Sequence, residues 1–251
     1  MQNFFIETSP AEDGIIRLSG ADVNHMKNVL RMKPGELVQI QDGQGITYTC
    51  RISGYEDREA VLEILETKAA DTELPSALYL FQGLPKGDKM EWIVQKAVEL
   101  GAAGIIPFAA GRSVVRLDEK KAEKKTVRWQ AISRSAAQQC GRAVIPEVNR
   151  PVPFAEALRQ ASELDVILIP YELERGMEET AEIIRNIRPG QSVGIFIGPE
   201  GGFDAGEIEQ AKAAGARPVS LGSRILRTET AGGTALSILM YHLEGQGHNL
   251  K

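Results

Sequence analysis

The sequence predicts a two-part chain: a small β-barrel over residues 1–72, then an α/β domain with a mainly parallel sheet over residues 73–251. Three observations lead there. Residues 36–68 repeat with period two, the chain after residue 77 alternates apolar runs with amphipathic stretches, and residues 69–76 between them follow neither period.

In the first part, apolar runs at 3–7, 14–19, 36–42 and 59–67 are short and separated by Gly, Asp and Pro. Ile46, Tyr48, Cys50 and Ile52 alternate with Thr47, Thr49, Arg51 and Ser53, the pattern of a half-buried strand. One helix is predicted over 21–32. Val23, Met26 and Leu30 share one of its faces, Asn24, Lys27, Asn28 and Arg31 share another, and His25 borders the polar side.

In the second part, strands are predicted at 77–82, 104–108, 165–169, 192–198 and 217–221. Helices are predicted at 88–100, 119–141, 154–162, 177–187, 205–214 and 230–244. Asp88 with Glu91, and Asp204 with Glu207, have capping-box spacing. On the long helix at 119–141, Trp129, Ile132, Ala136 and Cys140 project to one face, with Arg128, Ser135, Gln138, Gln139 and Arg142 opposite.

The 43% apolar and 25% charged content is ordinary for a globular protein, and no window supplies the roughly 20 apolar residues of a membrane span. The first residues have neither the basic lead nor the apolar core of a signal peptide, so a cytoplasmic protein without membrane association is expected. Cys50 and Cys140 lie ninety residues apart, and His25, His242 and His248 are scattered, so no metal is expected and the thiols should be reduced.

The net charge of −5 is unevenly spread. Residues 1–72 carry seven Lys/Arg against twelve Asp/Glu, whereas residues 112–142 carry nine against three. Such a basic block is the electrostatic footprint of a polyanion partner, although a solvated helix with outward lysines has the same composition.

Ligands of open parallel sheets collect beyond the carboxyl ends of the strands. Three such ends are unusual: Ile169-Pro170-Tyr171-Glu172, the glycine-rich Gly198-Pro199-Glu200-Gly201-Gly202, and the loop at 220–230, which keeps apolar Leu221, Ile225 and Leu226. The glycine stretch is not G-x-G-x-x-G, and no Gly-Lys-Ser/Thr phosphate loop occurs. Glycine-bearing loops with aliphatic side chains suit a ligand combining an adenine-like face with hydrogen bonds to bare backbone. S-adenosylmethionine fits that description, as do other nucleosides.

The stretches GLPKGDKMEWIVQKAVELG (83–101), RSVVR (112–116), IGPEGGF (197–203) and LGSRILRTETA (221–231), in this order after a small β domain, resemble the RsmE family of ribosomal RNA methyltransferases. The similarity spans nearly the whole chain. It implies a SPOUT-type methyltransferase domain with a deep C-terminal trefoil knot behind a PUA-like RNA-binding domain. It also implies a homodimer that uses S-adenosylmethionine to methylate N3 of one uridine in small-subunit ribosomal RNA, taken as an assembled ribonucleoprotein. Two alternatives are a non-catalytic RNA-binding assembly factor, for which degraded glycine motifs would be expected, and a ribose 2'-O-methyltransferase.

By the same resemblance the cofactor pocket draws Ile169, Pro170 and Tyr171 from one loop and Ile197, Gly198, Pro199, Glu200 and Gly201 from the next. Ser220, Leu221, Gly222, Ile225, Leu226, Arg227 and Thr230 complete it. Gly198, Gly201 and Gly202 would be small so that the cofactor and another part of the knot can approach the backbone.

The family's H-x-x-x-V-L-R pattern falls on residues 25–31, which implies RNA contacts at His25, Lys27 and Arg31; Arg112, Arg116 and Gln138 are further candidates. Removing the imide proton of uridine N3 requires a base or a cation that stabilises the uridinate. Arg142 is the candidate cation, Gln139 would hold the uracil edge, and Glu229 is the candidate base or a brace for the last helix. The family commonly carries Glu where this chain has Gln138, and Arg near the position of Asn3. The apolar surface of Ala235, Leu236, Ile238, Leu239, Met240 and Leu243 exceeds one helix face, in keeping with a dimer.

Overall fold

A computed structural model describes residues 1–6, 13–115, 117–171 and 176–247. The chain divides into two compact units: residues 1–73 with 137–145, and residues 74–136 with those from 146 onward.

The first unit is built on β1 (Gln2–Phe5), β2 (Ile15–Leu18), β3 (Leu37–Gln41), β4 (Ile46–Glu56) and β5 (Glu59–Ala69), joined in the order β1-β3-β4-β5-β2. β1 runs parallel to β3 and the remaining pairs are antiparallel. Among the described residues no ladder joins β1 to β2, so the expected barrel is here a five-stranded sheet that its ladders leave open. Asp57 and Arg58, both at positive φ (43° and 71°), close the long β4–β5 hairpin in the conformation a right-twisted two-residue turn requires. Phe4, Met26, Val38, Ile40, Cys50 and Leu62 are fully buried between the sheet and the helical segment. Burial pushes the Cys50 thiol up to about 12.

The helix expected over 21–32 is shorter and changes register. A single turn, α1 (Ala21–Asn24), widens into a π-helical turn at His25–Val29, and Arg31 follows at φ 55°. Met26 points wholly inward while His25, Lys27 and Arg31 stay exposed.

The second unit alternates strand and helix: β6 (Ala77–Gly83), α2 (Lys89–Glu99), β7 (Ala102–Ala109), α3 (Glu119–Cys140, its last four residues counted with the first unit), β8 (Glu147–Val148), β9 (Val152–Pro153) and α4 (Phe154–Ala161). β10 (Val166–Pro170), α5 (Met177–Arg185), β11 (Ser192–Ile197), α6 (Ala205–Ala213), β12 (Arg217–Val219) and α7 (Thr228–Gly247) complete it. The sheet order is β12-β10-β11-β6-β7-β8, β9 also pairs with β7, and every ladder is parallel. β8 and β9, two residues each, have no sequence periodicity to betray them.

Five phenylalanines anchor the core beneath the strand ends: Phe81, Phe108, Phe154, Phe196 and Phe203. Phe81 stacks on Phe196 with centroids 4.4 Å apart. Both phenylalanines that bracket the glycine-rich loop are therefore buried, which fixes the loop at its two ends.

Two helix expectations change. The inward face of α3 is Ala122, Trp129, Ser133, Ala136 and Ala137, while Cys140 is exposed. Ser133 is tolerated inside because its hydroxyl donates to the Pro146 carbonyl at 2.6 Å. Of the two capping boxes only Asp204–Glu207 forms. Asp88 makes no side-chain cap bond, and Glu91 turns instead to Arg128 at 2.6 Å. Among the described residues no helix is long and apolar enough to cross a membrane, and no cluster of metal-ligating side chains occurs.

Candidate active site

Beyond the carboxyl ends of β10, β11 and β12 lies a cavity of about 380 Å³, within the roughly 300–1,000 Å³ range of small-molecule sites. Pro170 and Tyr171 leave β10 into it, and Ile197, Gly198, Pro199, Glu200 and Gly201 follow β11 along its wall. Ser220, Leu221, Gly222, Ile225, Leu226 and Arg227 close the other side. The lining is mainly apolar side chains and glycine backbone, with charge from Lys89, Glu200, Arg224 and Arg227.

The glycines have distinct causes. A Cβ on Gly198 would lie 3.1 Å from the Gly202 backbone, so a side chain there would force the tightly folded loop to shift by a few tenths of an ångström. At Gly198 the close partner is the loop itself, whereas a Cβ on Gly201 would lie 3.0 Å from Arg112 Cβ, on a distant segment. Gly222 differs: a Cβ there would meet nothing within 4 Å, but its φ of 107° lies in the left-handed range that favours glycine.

Glu200 holds the loop to the start of α2. Its carboxylate accepts from the Lys86 amide at 3.1 Å and from Lys89 Nζ at 2.8 Å, and Lys89 also pairs with Glu229 at 3.3 Å. Burial pushes the Glu200 carboxyl up, but hydrogen bonds from Lys89 and backbone amides outweigh it and leave the group below the usual carboxylate range. The Lys89 ammonium is held above its ordinary value chiefly by its bond to Glu200. Behind the cavity, Thr228 Oγ1 donates to the Gly198 carbonyl at 2.6 Å and accepts from Gln82 Nε2 at 2.9 Å.

Thirteen of the fifteen residues expected around the cofactor line this cavity. Ile169 does not, because it points fully buried into the core, and neither does Thr230, exposed on the first turn of α7. Lys89, Gly202, Phe203, Arg224, Thr228 and Ala231 line it in addition. Lys89 sits inside the quoted stretch 83–101, yet no local signal ties it to a loop more than a hundred residues away.

The other predicted residues are dispersed. Lys27 Nζ stands 5.4 Å from the centroid of the Tyr55 ring, and His25 meets Phe4 edge-on. Arg112 donates to the Gly201 carbonyl at 3.1 Å, which makes it a support of the glycine loop. Arg116 lies outside the described residues. Gln139 is exposed, and Gln138 donates to the Asn3 carbonyl at 2.8 Å. Glu229 joins the ion pairs at the cavity through Lys89.

Arg142, expected as the cation beside the base, is 4% exposed and committed to Glu73: its guanidinium gives that carboxylate hydrogen bonds from both Nε and Nη2. Withdrawing one member of such a pair leaves an uncompensated buried charge. The geometry therefore makes Arg142 a support of the first unit, since it fixes the 137–145 segment to residue 73.

An RNA methyltransferase domain family matches residues 72–240, and an RNA methyltransferase PUA domain family matches residues 18–65. The ribosomal RNA small subunit methyltransferase E of Bacillus subtilis is 37% identical over 97% of this chain and 98% of its own length. The crystal structure of a ribosomal RNA small subunit methyltransferase E from Neisseria gonorrhoeae bound to S-adenosyl methionine shares the fold with a TM-score of 0.82, at 34% identity over 96% of this chain and 97% of that one. A putative methyltransferase of Legionella pneumophila, in complex with bound SAM, has a TM-score of 0.83 at 33% identity over 95% and 96% of the two chains. The second unit is an RNA methyltransferase domain and the first carries the PUA domain of such enzymes. This chain belongs to the ribosomal RNA small subunit methyltransferase E family.

Proposed function

We propose that this protein methylates N3 of a uridine in small-subunit ribosomal RNA, with S-adenosylmethionine as methyl donor. The observation that carries the reading is the cavity itself: two loops bearing the family motifs form its opposite walls at the carboxyl ends of β11 and β12, the parallel strands that flank β10. Its residues fit the cofactor. Leu221, Ile225 and Leu226 offer an apolar surface for an adenine face, and the space beside Gly222 is open where a Cβ would meet no atom. When bound, S-adenosylmethionine supplies a methyl group made electrophilic by its sulfonium.

The chain's own residues hold and orient. The 198–203 loop, pinned by Phe196, Phe203, Glu200 and Thr228, presents a rigid wall, and rigidity is what an in-line methyl transfer needs. Because Arg142 is committed to Glu73, the cations offered to an incoming uridinate or its phosphate are Arg224 and Arg227. Both line the cavity, are exposed and have no carboxylate partner among the described residues. Glu229, which pairs with Lys89 at 3.3 Å, takes the imide proton in this reading.

The same reading has the segments 169–172, 197–202 and 220–230 form a trefoil-knotted pocket, Glu172 lying outside the described residues, and makes a homodimer the working form. Ile238 and Tyr241, 39% and 82% exposed on α7, are apolar surface that a second copy would cover. The first unit serves as the RNA-docking domain, with Lys27 and Arg31 on phosphates.

Mapping methylated nucleotides in ribosomal RNA from cells lacking this protein tests the reading. N3-methyluridine should vanish from the small subunit and return with the wild-type gene; its persistence in the deleted strain would overturn the assignment.

A further inference from the structure

Gln82 is the one polar side chain of β6 and is fully buried, in a strand that otherwise reads Ala77-Leu78-Tyr79-Leu80-Phe81. A buried amide costs stability unless its groups are bonded, so its partners identify what it is for. Nε2 lies 2.9 Å from the Gly83 carbonyl and 2.9 Å from Thr228 Oγ1. Because a carbonyl only accepts, the amide nitrogen must face Gly83, and the Thr228 oxygen accepts the second hydrogen. The single hydroxyl hydrogen of Thr228 is then left for the Gly198 carbonyl, at 2.6 Å. The relay has one direction, Gln82 to Thr228 to Gly198. It joins the end of β6, the first residue of α7 and the first residue of the glycine loop.

We propose that Thr228, oriented by Gln82, is a positioning residue that sets the distance between the two walls of the cavity. Gly198 belongs to one wall; Thr228 continues directly from Arg227 in the other, and both residues line the space. Thr228 is 6% exposed, so its bond to Gly198 is largely shielded from water and its loss is costly. Without the hydroxyl, the Gly198 carbonyl and one hydrogen of the Gln82 amide lose their partners, and the walls separate. The proposal rests on reading the cavity as the S-adenosylmethionine site.

Two measurements separate the relay from that reading. In calorimetry with S-adenosylmethionine, Thr228→Val, isosteric but without a donor, should bind about tenfold more weakly than wild type, whereas Thr228→Ser, which keeps the hydroxyl, should stay within about twofold. Wild-type affinity in a folded Thr228→Val protein overturns the positioning role, and equal losses in the Val and Ser variants do the same. In thermal melting without cofactor, Gln82→Leu, Thr228→Val and the double variant form a cycle. The double variant should lose no more than the larger single one, and additive losses overturn the relay. Failure of wild type to bind S-adenosylmethionine would instead sink the cofactor reading, while the melting cycle still decides whether the relay exists.

Discussion

At the scale of single residues, Glu200 shows how one carboxylate holds a glycine loop. Its folded-state ionisation lies below the ordinary carboxylate value, so the group contributes stability that is fully present above about pH 4.3 and is lost as pH falls through the folded value. Glu200→Gln should therefore melt below wild type at pH 7, and the gap should close as the pH is lowered toward 3. A gap that stays constant over that titration would assign the effect to packing. The glycines around Glu200 were legible in the sequence because their density has few structural explanations. Its partners were not, since Lys86 and Lys89 lie far away in the chain and on another element. Arg142 misled for the same reason: its position near glutamines invited a role at the substrate base, and only the fold reveals that Glu73 already holds it.

Among elements, the alternation of strand and helix in the second unit was readable almost throughout, because buried parallel strands are short apolar runs and the helices between them are amphipathic. What escaped was structure without a period: the two-residue strands β8 and β9, and the π-helical turn that continues α1. Identical spacing also gave different outcomes at two helix starts. Asp204 accepts from the Glu207 amide at 2.8 Å and Glu207 answers to the Asp204 amide at 3.0 Å, whereas Asp88 caps nothing and only meets Lys125 at 3.7 Å on the surface. Asp204→Ala should cost about 1 kcal/mol in denaturant unfolding, and Asp88→Ala less than about 0.5 kcal/mol. Equal losses would mean that α2 uses a cap the geometry does not contain.

For the whole molecule, the question is how a chain of net charge −5 selects a polyanion. The basic block at 112–142 was legible as composition, but composition does not say which cations are free. Lys121, Lys125, Arg128 and Arg142 pair with Asp118, Asp88, Glu91 and Glu73, so part of the block is neutralised within the protein. Nor did any local signal assign residues 137–145 to the first unit, where Gln41 Nε2 donates to the Gly141 carbonyl at 3.0 Å. Lys120 and Lys124 are exposed on α3 with no ion partner among the described residues, and Lys27 is exposed on the first unit. A cation free to meet phosphate releases counterions on binding, whereas one already paired to a carboxylate contributes little to that release. Lys27→Ala and Lys124→Ala should each lower the slope of log affinity against log salt by about 0.7 to 0.9 in binding to a small-subunit ribosomal RNA fragment. Lys125→Ala should change it much less, and S-adenosylmethionine affinity should be unaffected in all three. If the Lys125 variant shifts the slope as far as the Lys124 variant, the ion pairs on α3 do not survive RNA binding and the whole block acts as one positive surface.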